Sequence, residues 1–130
     1  MATKTLNEKI QAINEIISYA CMGCDGYIRH FTGLVYTNHI QEIADIAGGF
    51  WLIDAIASYQ RKEEFQVWEL EVNTEKHSAV LTMKEDTDQP ELVRQEIEYT
   101  DFPMSLKLYV ELGSVDCVHH DYILLLPESR

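Results

Sequence analysis

Four side chains are of the right types for acid–base chemistry: Arg29, His30, Asp54 and Asp101. A carboxylate beside an imidazole orients the ring for proton abstraction, so a cluster of these four next to a central helix would be a polar pocket. No serine or cysteine stands in a nucleophile-elbow setting, so a covalent mechanism has no carrier and no catalytic residue is assigned. A structural reading accounts for the same residues: Asp54 caps or pairs with Arg29 at the edge of the core and His30 packs beside it, since ion-pair networks also gather such groups. The structural reading is the favoured one. Arg29, His30, Trp51, Asp54, Tyr99 and Asp101 remain the candidate binding residues.

The second chemistry is metal binding. Cys21-x-x-Cys24 is half of a tetrahedral zinc set, and Cys117 with His119 or His120 is the available second half. Cys-x-His-His is not a standard ligand spacing, however, and a lone CxxC is weak evidence. A redox role fits less well, because redox CxxC pairs open a helix after a strand, where the helix dipole lowers the thiol pKa, and here the pair follows a helix. Unpaired reduced thiols are the simpler expectation, and no cofactor is expected.

Aromatic residues form a third group. Trp51, Tyr59, Trp68, Tyr99, Phe102 and Tyr109 belong mostly to core packing, with one or two edges left for an interface. Gly48-Gly49 fits no phosphate-cradling pattern and reads as a helix hinge.

The elements that must position these residues are legible from periodicity. Thr5-Leu6-Asn7-Glu8 has capping-box form, and Leu6, Ile10, Ile13, Ile17 and Ala20 make one helix face, so a helix is predicted from Leu6 to Ala20. Two glycines in 21–26 break it. Tyr27 to Thr37 reads as one extended segment weakened by Gly33. Asn38, with Gln41 three residues on, is the predicted N-cap of a second helix whose face is Ile40, Ile43, Ala44 and Ala47. The run from Ala47 to Gln60 is the central helix. Trp51, Leu52, Ala55, Ile56 and Tyr59 form its expected buried stripe.

From Glu64 the period changes to two. Phe65–Val72, Ser78–Lys84, Val93–Tyr99 and Leu106–Leu112 alternate apolar and polar residues as half-buried strands. Tyr122–Leu126 is continuously apolar and so central, and Pro127 ends it. The chain is expected to be one α+β domain over residues 1–130, with helices first and then a mostly antiparallel sheet from the C-terminal half.

Of 130 residues, 22 are acidic and 10 basic, a net charge of −12. Such a surface repels DNA, RNA and anionic membrane, so direct nucleic-acid or membrane binding is disfavoured. It suits a protein partner with a basic surface, although solubility alone also explains it. Glu69, Glu71, Glu96, Glu98 and Glu111, with the loop Glu85, Asp86 and Asp88, would imitate a phosphate backbone if gathered on one side. No apolar run has membrane-spanning length and no basic-then-apolar leader is present, so the expected address is the cytoplasm.

Phe50-Trp51-Leu52-Ile53-Asp54-Ala55-Ile56-Ala57-Ser58-Tyr59-Gln60, then Phe65-Gln66-Val67-Trp68, Tyr99-Thr100-Asp101-Phe102-Pro103 and Leu124-Leu125-Leu126-Pro127 resemble a small bacterial and phage family of unknown function. The resemblance runs from about Arg29-His30 to the C-terminus and leaves out the Cys21/Cys24 pair. It implies a small cytoplasmic protein of phage or mobile-element context and no assigned activity. The expectation is therefore a non-enzymatic acidic inhibitor or sequestering protein. The alternatives are a small-ligand binder or enzyme with a polar pocket beside the central helix, and a zinc-stabilised module. A homo-oligomer stays open.

Overall fold

The computed structural model describes residues 5–22, 26–114 and 120–129. Along the chain these form α1 (Leu6–Ala20), β1 (Tyr27–Arg29), β2 (Val35–Thr37), α2 (Asn38–Ala47), α3 (Phe50–Tyr59), β3 (Phe65–Asn73), β4 (Ser78–Lys84), β5 (Glu91–Ile97), β6 (Leu106–Gly113), β7 (Asp121–Leu125) and a 3₁₀ turn at Pro127–Ser129. The strands make one seven-stranded sheet in the order β1-β2-β7-β6-β3-β4-β5. Every neighbouring pair is antiparallel except β2 with β7.

Each helix starts and stops for a local reason. Thr5 accepts from the Glu8 amide at 3.2 Å while the Glu8 carboxylate accepts from the Thr5 amide at 3.4 Å, the reciprocal box its sequence predicted. The N-cap of α2 is Thr37 rather than Asn38, because Thr37 leaves β2 in an extended conformation and its hydroxyl accepts from the Ile40 amide. Asn38 is instead the first helical residue, and its side chain accepts from the Gly26 amide. Gly48, with φ +65°, closes α2 in the left-handed conformation.

Helix α3 is where the predicted stripe turns. Its buried residues are Leu52, Ile53, Ile56 and Ala57. Trp51 and Ala55 are only partly covered and Tyr59 is exposed, so the inward face is rotated about 100° from the predicted one, one helical position. Ile53 and Ala57 enter the layer against the sheet. The large rings lie at its rim, Trp51 edge-on to Phe102 at 6.2 Å and Tyr59 beside Trp68 at 5.8 Å.

The sheet departs from expectation in its first two strands. Tyr27–Thr37 is a hairpin and not one segment, with Gly33 at φ +102° in the turn and a His30 amide bond to the Leu34 carbonyl at 2.7 Å. The N-terminal half thus adds β1 and β2 to a sheet otherwise built by the C-terminal half. β7 lies between β2 and β6. Its two faces feed different clusters, Leu124 toward the helices and Ile123 and Leu125 toward Val35 and Tyr109 on the other side. That placement is why Ile123, Leu124 and Leu125 are apolar in succession.

The helix side of the sheet carries Tyr36, Trp68, Leu70, Leu81, Met83, Leu108 and Leu124, packed with Ile40, Ile43, Leu52, Ile53 and Ile56. Gly49 sits in this layer, and a methyl group there would lie 2.5 Å from the Phe102 ring. Gly49→Ala should therefore cost about 1–3 kcal/mol through overpacking. Urea unfolding would read this as a lower midpoint at unchanged slope, and an unchanged midpoint would show that the Phe102 ring moves aside freely.

Candidate functional site

The hairpin between β1 and β2 ends in His30-Phe31-Thr32-Gly33, and it is tied to α3 through His30. The His30 ring is 8 % exposed, and its Nε2 lies 2.7 Å from the Asp54 carboxylate, itself 66 % exposed. Nδ1 accepts the Thr32 backbone N–H at 3.2 Å and lies 2.9 Å from the Thr32 hydroxyl. Because Nδ1 is an acceptor, the ring proton sits on Nε2 and is donated to Asp54. This fixes the tip against the helix and leaves Phe31 93 % exposed beside it.

Beyond the tip, at the C-terminal end of α3, a cleft of about 210 Å³ opens between the hairpin, the residues after the helix and the start of β7. Thr32, Gln60, Arg61, Lys62, Asp121 and Tyr122 are among its walls. Each wall is pinned. The Asp121 carboxylate is held by both Arg29 terminal nitrogens, at 2.9 and 3.3 Å. Arg61 donates twice to Glu63 at 2.9 Å. The Tyr122 hydroxyl donates to the Lys62 carbonyl at 2.8 Å. Below them Gln66, 3 % exposed, donates to the Glu63 carbonyl at 3.1 Å and accepts from the Trp68 indole at 2.9 Å.

Gln60 adopts the left-handed conformation at φ +47° to cap α3. A residue with a Cβ costs roughly 1–2 kcal/mol there, which a glycine would not.

The predicted binding residues therefore separate into three places. His30 and Asp54 meet. Arg29 pairs with Asp121 and not with Asp54. Asp101 accepts from the Tyr99 hydroxyl at 3.1 Å, and His77 lies over the Tyr99 ring at 5.8 Å. The Asp101 carboxylate raises the Tyr99 phenol above its ordinary value, keeping it protonated and donating. Trp51 reaches this group only through Phe102. Of the cysteine–histidine set, Cys21 is exposed at the end of α1; Cys24, Cys117 and His119 lie outside the described residues.

Sequence reasoning missed Gln60, Arg61, Lys62 and Gln66. The available signal was Gln66, a polar residue on the face of β3 that otherwise reads Trp68, Leu70, Val72.

The acidic residues are not gathered on the sheet. Glu69, Glu71, Glu96 and Glu111 do share the face away from the helices, but Lys84, Arg94 and Lys107 stand among them in register. Lys107 lies 4.0 Å from Glu69, and Arg94 3.4 Å from Glu91. A different stretch is uniformly acidic. Between α1 and α2 runs a groove of about 410 Å³ whose apolar floor is Ala12, Ile16 and Ile46, edged by Glu15, Glu42 and Asp45, with Tyr19 at its end. Among the described residues no basic side chain lines it.

A family model described as a family of unknown function (DUF6876) matches residues 16–129. The match begins inside α1 and so takes in Cys21 and Cys24, which the motif resemblance had left out. No curated protein and no solved structure matches the chain.

Two measurements check the geometry. His30→Ala removes both ties of the hairpin tip, and exchange of the His30-position and Gly33 amides should quicken about tenfold or more, with strand β3 unchanged. Asp54→Asn keeps an acceptor and should leave most of that protection; equal exchange in wild type and His30→Ala would show that the lock holds nothing. For the loop after α3, the Arg61 hydrogen bonds hold the Glu63 carboxyl below its ordinary range. A depressed folded pKa contributes stability that is complete above the ordinary glutamate value, about 4.3, and is lost as the pH falls through the folded value. Urea titrations should thus separate wild type from Glu63→Gln at pH 7 and bring them together as the pH falls through the folded Glu63 value; a constant gap would mean that the ion pair is not its source.

Proposed function

We propose that the chain, which belongs to the DUF6876 family of unknown function, is a non-enzymatic binding protein that takes a basic, amphipathic segment of a partner protein into the groove between α1 and α2. The observation that carries this reading is the composition of that groove, three carboxylates around an apolar floor with no basic residue among the described ones, ending at Tyr19, which is 65 % exposed. A helix-in-groove contact needs an apolar trough for anchors and charge of one sign at the rim for orientation. Both are present over two helices of fifteen and ten residues.

The net charge of −12 supports the same partner class. It speeds encounter with a basic protein and discourages nucleic acid and anionic membrane. The sheet face, with its lysines and arginine interleaved, is a weaker anionic surface than the groove. In cellular terms the reading is of a cytoplasmic inhibitor or sequestering protein of phage or mobile-element type. It would occlude a host protein, including one whose basic surface ordinarily meets nucleic acid. No helix among the described residues is long and apolar enough to cross a membrane.

The test uses the triple charge reversal E15K/E42K/D45K beside wild type, first against host lysate and then against any captured protein after purification. Wild type should retain a partner at low salt and release it at high salt, since exposed charge contacts are screened over about 8–10 Å at physiological ionic strength. The triple variant should lose at least a hundredfold in affinity for that purified partner. Retention undiminished by the triple variant would overturn the groove as the docking site.

A further inference from the structure

We propose that the cleft at the C-terminal end of α3 is a binding site for a small molecule carrying a carboxylate or phosphate group. The first argument is charge. Its walls include two cationic side chains, Arg61 and Lys62, and one carboxylate, Asp121, in a chain whose acidic residues outnumber its basic ones by more than two to one. The Asp121 carboxylate already receives two hydrogen bonds from Arg29. Arg61 has Nε and Nη2 committed to Glu63. Lys62 has no ion-pair partner among the described residues. Among the described residues the pairing thus leaves the positive charge of Lys62 uncompensated at the cleft, against the sign of the whole protein.

The second argument is preorganisation. Three elements distant in sequence meet here, and each is fixed by a hydrogen bond whose role is to hold a wall. His30 anchors the hairpin tip, Gln66 anchors the loop after α3, and the Tyr122 hydroxyl ties that loop to β7. Binding sites gain affinity when such ordering is complete before the ligand arrives. The further donors lining the cleft are the Gln60 amide and the His120 imidazole, since the Thr32 hydroxyl is engaged by His30 Nδ1. At about 210 Å³ the cleft is smaller than the 300–1,000 Å³ of drug-sized pockets, so the occupant is metabolite-sized or smaller.

Binding is read by amide chemical-shift titration of the full chain with inorganic phosphate and, separately, with citrate, each against sodium chloride at matched ionic strength. Saturable shifts centred on Thr32, Gly33 and Lys62 are expected for at least one anion. Lys62→Glu should weaken them tenfold or more. Lys76→Glu makes the same charge change on the distant β3–β4 turn and should leave the titration as in wild type. Saturation by phosphate alone would assign a phosphate ester as the ligand class, and by citrate alone a carboxylate. No saturation with either, or equal weakening by Lys62→Glu and Lys76→Glu, would overturn the site. The groove variant E15K/E42K/D45K should titrate as wild type does, so failure of the partner-binding reading leaves this result unaffected.

Discussion

The indole N–H of Trp68 has to find an acceptor inside the core, and the way it does so shapes the cleft end of the molecule. Trp68 is completely buried on the interior strand β3. A donor buried there without a partner would cost about 1–3 kcal/mol. Gln66, two residues earlier on the same face, supplies its carbonyl oxygen at 2.9 Å. That choice commits the other half of the amide, whose N–H groups must also be satisfied away from water. They reach the carbonyls of Glu63 and Arg61 at 3.1 and 3.4 Å, so the loop between α3 and β3 is drawn over the end of the core. One requirement in the interior thus fixes the backbone on which Arg61 and Lys62 are carried.

The same logic of one tie fixing the next runs through the hairpin. β1 and β2 are three residues each, too short to hold a position by themselves. β2 gains its place by pairing with β7, and the tip gains its orientation from His30. His30 is oriented in turn by the Thr32 amide, which settles its tautomer. Arg29, the last residue of β1, reaches Asp121 across 92 residues of sequence. His30, the first residue of the turn, reaches Asp54 on α3 instead, so the two consecutive residues serve different neighbours. This is why Arg29 and Asp54 do not meet, although each has a partner of the type expected for it.

Fold and site were legible to different depths for physical reasons. Strands β3, β4 and β6 were plain because alternation reports a half-buried surface directly. The capping box at Thr5 was plain because both its partners lie within one helical turn. The hairpin in Tyr27–Thr37 was hidden because its strands are shorter than the window over which alternation can be counted. The inward face of α3 was misplaced because aromatic size was read as burial, whereas large rings with polar tips settle at rims. The Tyr59 hydroxyl shows this, donating to Gln95 on edge strand β5 at 2.8 Å. The His30–Asp54 pair was within reach of sequence reasoning through residue type alone. The cleft was not, since it is made where three segments converge and only Gln66 announces it locally.

The distribution of charge makes the last point. A chain of net charge −12 has a long-range field that a small anion must cross to arrive, and screening reduces that cost to contact range at physiological salt. Inside the cleft the balance is set by local pairs. Arg29 neutralises Asp121, Glu63 engages part of Arg61, and the ammonium of Lys62 has no carboxylate opposite it among the described residues. At the α1–α2 groove the balance is the reverse, with Glu15, Glu42 and Asp45 lacking any basic neighbour among the described residues of the lining. The groove lies along the helical layer, and the cleft closes the far end of α3. The net charge alone speaks for only the first. The pairing of individual residues separates a surface suited to a basic protein from a pocket suited to an anionic small molecule.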